Sequence, residues 1–306
     1  MTLNMQTDIR LTPEQAEALL AEWPGSSVKC TGIQPLHGGM INSVLRLDFD
    51  RAPFSAVVKL NSAAGGFSRE ARMLRHLRET TRLPCPAVYL ESDTPHSVHY
   101  AFLLLETLPG VNMWHAPLSD ADRAQIEREL AQALLELHSH TRATFGAIGE
   151  PGTERWADVF VPRMREVRPE VDGKLPTRVL HDVDDAIGVA AQVLSEQGEP
   201  TLVHGDVWAA NIMVVQAADG WHLSGLLDPS AEYADVEIEL AHLQTFGARP
   251  TAFFETYTAH RPLRPGYETR RLIYWLHTCL IHVWLFGDQH YRKATASVAA
   301  EIARRV

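Results

Sequence analysis

Apolar and polar residues alternate with a period of two early in the chain. Val44-Leu45-Arg46-Leu47-Asp48-Phe49 puts Leu45, Leu47 and Phe49 on one face, the pattern of a half-buried strand. The same reading predicts strands over Val28–Leu36, Ser43–Phe49 and Phe54–Leu60, and two more over Ala87–Glu91 and His99–Glu106. Between the first two lies His37-Gly38-Gly39-Met40-Ile41-Asn42, a turn that glycine-rich sequence makes easily. Thr12-Pro13-Glu14-Gln15 carries the signs of a helix start, with a cap, a proline in the first turn and a capping box, and that helix is expected to end near Trp23-Pro24-Gly25. Gly65-Gly66 leads into a helix from Phe67 to about Arg78.

After a turn-rich connector, Thr107 to Pro117, the period changes from two to 3.6. Ser119 caps a helix running to His140 whose stripe is Ile126, Leu130, Ala133, Leu134 and Leu137. Further helices are predicted over Trp156–Arg168, Arg178–Gln197, Asp235–Phe246, Ala252–His260, Tyr267–Phe286 and Tyr291–Arg305. Two short strands, Ile212–Val215 and Trp221–Leu227, interrupt them. The layout is α+β: an antiparallel, β-rich N-lobe over residues 1–106, expected to bind nucleotide phosphates, and a mainly helical C-lobe over residues 107–306.

Composition narrows the options. The net charge is -10, and nucleic-acid binding rests on clustered cations, so no nucleic-acid partner is expected. Cys30, Cys85 and Cys279 are far apart and form neither a zinc pattern nor a disulfide framework, which fits a reducing compartment and predicts a cytoplasmic protein. The start of the chain carries no apolar signal core. The apolar stretch Leu272–Phe286 is short for a membrane span and is read as a buried helix, so no membrane association is expected. A monomer is slightly favoured.

The richest chemistry lies in Leu202-Val203-His204-Gly205-Asp206-Val207-Trp208-Ala209-Ala210-Asn211-Ile212. Phosphoryl transfer to a hydroxyl needs a carboxylate that orients the hydroxyl and accepts its proton. It also needs oxygen ligands for a metal on the phosphates. Asp206 and Asn211 stand at the two ends of one tight loop and suit those tasks. A hairpin between 212 and 227 would return Asp228, in Leu227-Asp228-Pro229, beside Asn211, an oxygen pair suited to Mg2+. Gly38 and Gly39, with Asn42, let backbone amides approach phosphate, although the double glycine also fits a plain hairpin turn. Lys59 ends the apolar strand Val57-Val58-Lys59, where it could hold the α- and β-phosphates of ATP. Glu70 follows on the next helix as its partner, although each residue alone also fits an ordinary surface. Glu106 and Leu108 fall where the lobes join and are candidate adenine contacts. Glycine turn, Lys, Glu, His-Gly-Asp, Asn, Asp is the parts order of protein-kinase-like phosphotransferases.

On these residues the chain resembles the aminoglycoside phosphotransferase and choline kinase branch of the kinase-like fold. Trp208 after His-Gly-Asp-x narrows the resemblance to the fructosamine (ketosamine-3-) kinase family. The stretch from Leu227-Asp228-Pro229 through Tyr233 and Glu237 to Glu239-Leu240-Ala241, Phe246-Gly247, Phe253-Phe254-x-x-Tyr257 and the aromatic helix through Tyr274 are similar to that family. The resemblance implies a bilobal kinase fold and transfer of the ATP γ-phosphate to a sugar hydroxyl of a glycated amine. It makes Asp206 the base, Asn211 and Asp228 the magnesium ligands, and Lys59 and Glu70 the phosphate-positioning pair. Trp208 would lie on the sugar or wall its pocket, with Tyr233, Glu237 and Trp275 as further acceptor contacts. The chain departs from the family pattern at Val236, where Arg is usual, at Glu239, where Asp is usual, and at Ala209-Ala210, where Ser-Gly is usual. Met40 also stands where some relatives carry a cysteine, which leaves no disulfide dimer through that loop. Alternatives are a kinase for an aminoglycoside, macrolide or amino alcohol, or a non-catalytic binding module, which retention of Lys59, Asp206, Asn211 and Asp228 argues against.

Overall fold

The structure is a computed structural model and describes residues 9–23, 28–36, 42–62, 66–95, 98–245 and 248–306. Gly38, Gly39 and Met40, the expected first-helix end at Pro24-Gly25, and the Phe246-Gly247 pair lie outside the described residues. In chain order the elements are α1 Pro13–Ala21, β1 Cys30–Leu36, β2 Ser43–Phe49, β3 Ser55–Asn61, α2 Phe67–Thr80, β4 Val88–Ser92, β5 Ala101–Glu106 and β6 Val111–Asn112. Then follow α3 Asp120–Leu137, β7 Gly146–Ala147, α4 Trp156–Val167, α5 Thr177–Val193, β8 Thr201–Val203, β9 Ile212–Ala217, β10 Gly220–Leu226, β11 Glu232–Ala234, α6 Glu237–His242, α7 Thr251–His260, α8 Tyr267–Leu285 and α9 Gln289–Arg305.

The chain divides into two compact units. One comprises Met1–Pro117 and Ala209–Pro229, the other Leu118–Trp208 and Ser230–Val306. In the first, five antiparallel strands pair in the order β1-β2-β3-β5-β4. The alternation read in β2 holds, with Ser43, Leu45, Leu47 and Phe49 buried. Pro35 is tolerated because β1 is an edge strand, where a missing N–H breaks no ladder. Leu45, Leu47, Val58, Leu60, Phe102 and Leu104 pack with Leu19 and Leu20 of α1 into one core. Thr12 caps α1 in a complete capping box with Gln15. The β9–β10 hairpin belongs to this unit and pairs with β6. Gly110, at φ +94°, makes that pairing possible: a Cβ there would lie 2.0 Å from the Val214 carbonyl oxygen.

The second unit is mainly helical. Its core joins Trp156, Phe160 and Met164 of α4, Val183, Ile187 and Ala190 of α5, and Ile273, Leu276, Leu280 and Val283 of α8. α3 opens with a capping box between Ser119, the expected cap, and Asp122. A three-stranded sheet, β7-β11-β8, ends at the loop that follows Val203. Of its strands, β7 and β11 were not anticipated. α6 is shorter than the helix predicted over 235–246, because Asp235 and Val236 form its entry turn. Among the described residues no helix is long and apolar enough to cross a membrane. The three cysteines are free, and burial pushes the thiols of Cys85 and Cys279 up to about 11 and about 12, as befits small packed residues.

Candidate active site

In the first unit Lys59 points from β3 toward α2 and the end of β10. Its ammonium, 8 % exposed, lies 2.6 Å from Glu70 Oε1 and 2.5 Å from Asp228 Oδ1. Burial alone would lower its affinity for a proton. The charges of Asp228 and Glu70 outweigh that and hold it above the usual lysine range. Burial pushes the Glu70 carboxyl up, against the pull of Lys59 and with a further push from Asp228. One ammonium faces two carboxylates, so the cluster carries an excess of negative charge.

Asp228 is built for exposure on its other side. It adopts a left-handed backbone, φ 55°, at the end of β10, and its side chain is 45 % exposed. Asp tolerates that conformation better than most residues, and such strain gathers at functional sites. Pairing of Leu226 with Ile212 closes the β9–β10 hairpin, and Leu227 N–H donates to the Asn211 carbonyl at 2.8 Å. Asn211, 7 % exposed, and Asp228 thus flank the open end of one hairpin, as the spacing predicted. Asn42 Oδ1 accepts from Asn61 Nδ2 at 2.8 Å, tying the start of β2 to the end of β3.

Glu106 does not offer its carboxylate to a ligand. Oε2 accepts from Ala87 N–H at 3.0 Å and from Arg78 at 3.3 Å, bracing the connector after β5. Leu108 packs against Gly225, where a Cβ would meet its Cδ1 at 2.6 Å. Between them the Thr107 hydroxyl is buried with no hydrogen-bond partner. Buried hydroxyls are normally paired.

The second unit carries the loop after β8. Gly205 is left-handed, φ +83°, and a Cβ there would lie 2.5 Å from the Ser230 carbonyl oxygen, so the His-Gly-Asp order needs its glycine. Beneath the loop lies Glu239, fully buried on α6. Its Oε1 accepts from Gly205 N–H at 2.6 Å, and its Oε2 from His204 N–H at 3.1 Å and from His138 Nε2 at 2.8 Å. His138 Nδ1 in turn meets the Tyr257 hydroxyl at 2.7 Å. Burial would raise the Glu239 carboxyl. The bond and charge of His138, the charge of His204 and the Gly205 amide outweigh it and leave it below the usual carboxylate range. Glu239 stood out in the sequence only as a departure touching on substrate; the structure makes it the support of the loop backbone.

Asp206 projects from that loop with its side chain 37 % exposed, and His242 Nε2 lies 3.4 Å from its Oδ1. His282 of α8 is close enough to feel both charges. Burial first, then His242, holds it below the usual imidazole range, against the pull of Thr278 O and Asp206. Its ring adjoins Phe286 and Tyr291, with centroids at 5.6 and 4.7 Å. Trp208 is 39 % exposed, an aromatic at the surface rather than a core residue.

Three expected acceptor contacts, Tyr233, Glu237 and Trp275, are buried or half-buried in the second unit. Glu237 is 2 % exposed and pairs with Arg270 Nε at 2.6 Å and with Arg264. Tyr233 is buried in β11 with the Arg142 guanidinium over its ring at 4.5 Å. Trp275 is half-buried, donates to Ala241 O at 2.6 Å and lies under Arg271. A separate pocket of about 200 Å³, bordered by Val236, Leu240, Tyr257 and Arg261, lies on the other face of α6 from Glu239 and His242. His242, His138 and His282 were missed because lone histidines on apolar helices carry no motif; the i, i+3 spacing of Glu239 and His242 was the available signal.

A β-rich unit with a buried Lys-Glu pair and a helical unit carrying a His-Gly-Asp loop define a protein-kinase-like phosphotransferase. The fold is shared with a crystal structure from Haemophilus somnus 129PT named as a fructosamine-3-kinase, at TM-score 0.75 and 23% identity over 94% of this chain and 97% of that one. It is also shared with aminoglycoside phosphotransferase APH(4)-Ia in ternary complex with AMP-PNP and hygromycin B, at TM-score 0.69 and 19% identity over 95% and 98% of the two chains. The profile described as "Fructosamine kinase" matches residues 13–304, and the chain belongs to that family. It is 29% identical over 286 residues to a Synechocystis protein named as a ketoamine kinase, covering 90% of this chain and 92% of that one. It is 28% identical over 301 residues to the chloroplastic protein-ribulosamine 3-kinase of Oryza sativa subsp. indica, covering 92% and 81%.

Proposed function

We propose that the protein transfers the γ-phosphate of ATP to a sugar hydroxyl of a ketosamine, a glycated amine of the fructosamine or ribulosamine type. The observation that carries this reading is the buried Lys59 ammonium between Glu70 and Asp228. A buried cation fixed by two carboxylates is suited to holding phosphate oxygens without moving, and electrostatic positioning is most of what phosphoryl transfer asks of a protein.

The donor set fits the remaining parts. Asn211 and Asp228 offer hard oxygen ligands at one hairpin end, where carboxylate charge is in excess, and they would hold Mg2+. A bound magnesium ion supplies charge neutralisation on the phosphate oxygens. The unpartnered Thr107 hydroxyl, between Glu106 and Leu108, supports an adenine site along that connector, with backbone groups supplying the other bonds. Asp206 orients the acceptor hydroxyl and takes its proton as the oxygen attacks phosphorus. Glu239 holds the Asp206 loop by its amides. Trp208 lies two residues beyond the base, and its exposed indole suits the C–H face of a sugar or a neighbouring ammonium.

Asp206→Asn tests the role assignment. The variant is expected to bind ATP like the wild type and to lose roughly 10²–10⁴-fold in transfer rate, the usual contribution of a general base. Retention of more than about a tenth of the rate would remove Asp206 from that role.

A further inference from the structure

The proposed mechanism leaves one titratable side chain beside the base unused. Residues three apart on a helix share a face, and on α6 these are Glu239 and His242. Glu239 takes the backbone amides of His204 and Gly205. His242, one turn on, brings Nε2 to 3.4 Å from Oδ1 of Asp206. One short helix therefore grips the loop backbone and also addresses the carboxylate at its tip. The contact lies within ion-pair range and is longer than a formed hydrogen bond, as is common for catalytic contacts before substrate arrives.

A carboxylate that serves as base has two oxygens and a side chain that can rotate. Unless one oxygen is held, the other has no fixed direction, and a misplacement on the order of 1 Å costs about a hundredfold in rate. The Asp206 side chain is 37 % exposed, so packing alone does not fix it, whereas the His242 side chain is 25 % exposed and anchored on α6. Glu239 secures the loop conformation by its amides, and His242 reaches the carboxylate itself.

We propose that His242 is a positioning residue for phosphoryl transfer: it holds Oδ1 of Asp206 so that Oδ2 faces the acceptor hydroxyl. The proposal rests on the reading of Asp206 as the base, and the test separates the two. His242→Leu keeps the bulk and removes the donor. His242→Gln returns an amide N–H near the position of Nε2. Both are compared with Asp206→Asn and wild type, using ATP, magnesium and fructosyl-lysine, and also in slow ATP hydrolysis, where water replaces the acceptor. His242→Leu is expected to lower kcat about tenfold or more, with the KM for ATP and the melting temperature nearly unchanged, and His242→Gln to recover most of the loss.

The proposal is overturned if His242→Leu keeps more than half the wild-type kcat while Asp206→Asn is inactive. It is overturned equally if Gln is no better than Leu, or if rate, apparent affinity for ATP and melting temperature all fall together, the pattern of a packing residue. An active Asp206→Asn, or a wild-type protein with neither turnover, removes the base reading and this inference with it.

Discussion

Replacing Glu239 by Gln changes one oxygen to an amide nitrogen in a fully buried site with three donors around it, at 2.6, 2.8 and 3.1 Å. The best orientation of the new side chain keeps its oxygen on Gly205 N–H and turns its nitrogen toward His138, which can accept by changing tautomer. His204 N–H is then left facing a donor. An unsatisfied buried amide costs about 1–3 kcal/mol, and the two surviving bonds fall from charge-assisted to neutral strength, roughly 0.5–1.5 kcal/mol each. The sum is roughly 2–6 kcal/mol, which for a chain of this size lowers the melting temperature by about 4–12 °C. Because the lost bonds fix the loop that carries Asp206, kcat should fall further than stability alone explains. Glu239→Asp, one methylene shorter, should fail to reach both amides and behave similarly. The charge also sets a pH dependence. Since the folded carboxyl is held below its unfolded value, its contribution is fully present above the ordinary carboxylate range and is lost as pH falls through the lower folded value. Glu239→Gln should flatten that acid limb in chemical denaturation followed from neutral pH downward. A variant with wild-type stability, or one whose acid limb is as steep as that of the wild type, would refute the assignment of Glu239 as the support of the loop.

Arg270→Met should destabilise the second unit by about 2–4 kcal/mol in urea titration, because Glu237, also 2 % exposed, loses its buried partner and keeps only the more exposed Arg264; a loss under about 1 kcal/mol would contradict that pairing. Lys59→Met should abolish transfer and make the fold less stable as pH rises. Glu70 is already pushed up by burial and would then bind a proton in the folded state that it releases in the unfolded state; Glu70→Gln in the same background should remove the slope. Thr107→Val removes the unpartnered hydroxyl and should leave the unliganded protein as stable or about 1 kcal/mol more stable while raising the KM for ATP; a destabilised variant with unchanged KM would exclude a nucleotide contact there.

What could be read from the chain followed from how many residues carried each signal. β2 shows a period of two over seven residues, and α1 and α3 begin with complete capping boxes, so these elements were legible. β7 and β11 have two and three residues, too few to show any period, and they form only because partners meet them in the fold. The pairing of Lys59 with Glu70 was anticipated from motif order, whereas that of Lys59 with Asp228, 169 residues away, was not. The ion pairs of Glu237 were not legible because Arg264 and Arg270 lie 27 and 33 residues along the chain. The role of Glu239 was hidden for the same reason: its partners, His138, His204 and Gly205, lie 34 or more residues away.

The central claim is tested most directly by identifying the product. Wild-type protein is incubated with ATP, magnesium and a panel of fructosyl-lysine, ribulosyl-lysine, an aminoglycoside and an amino alcohol, and each acceptor is followed by phosphorus NMR and mass spectrometry alongside ADP. The account predicts a phosphate monoester on a sugar hydroxyl of the ketosamine, formed in step with ADP and absent with Asp206→Asn. Phosphorylation of the aminoglycoside or amino alcohol with the ketosamines untouched, or no phosphorylated product from any of them, would contradict it.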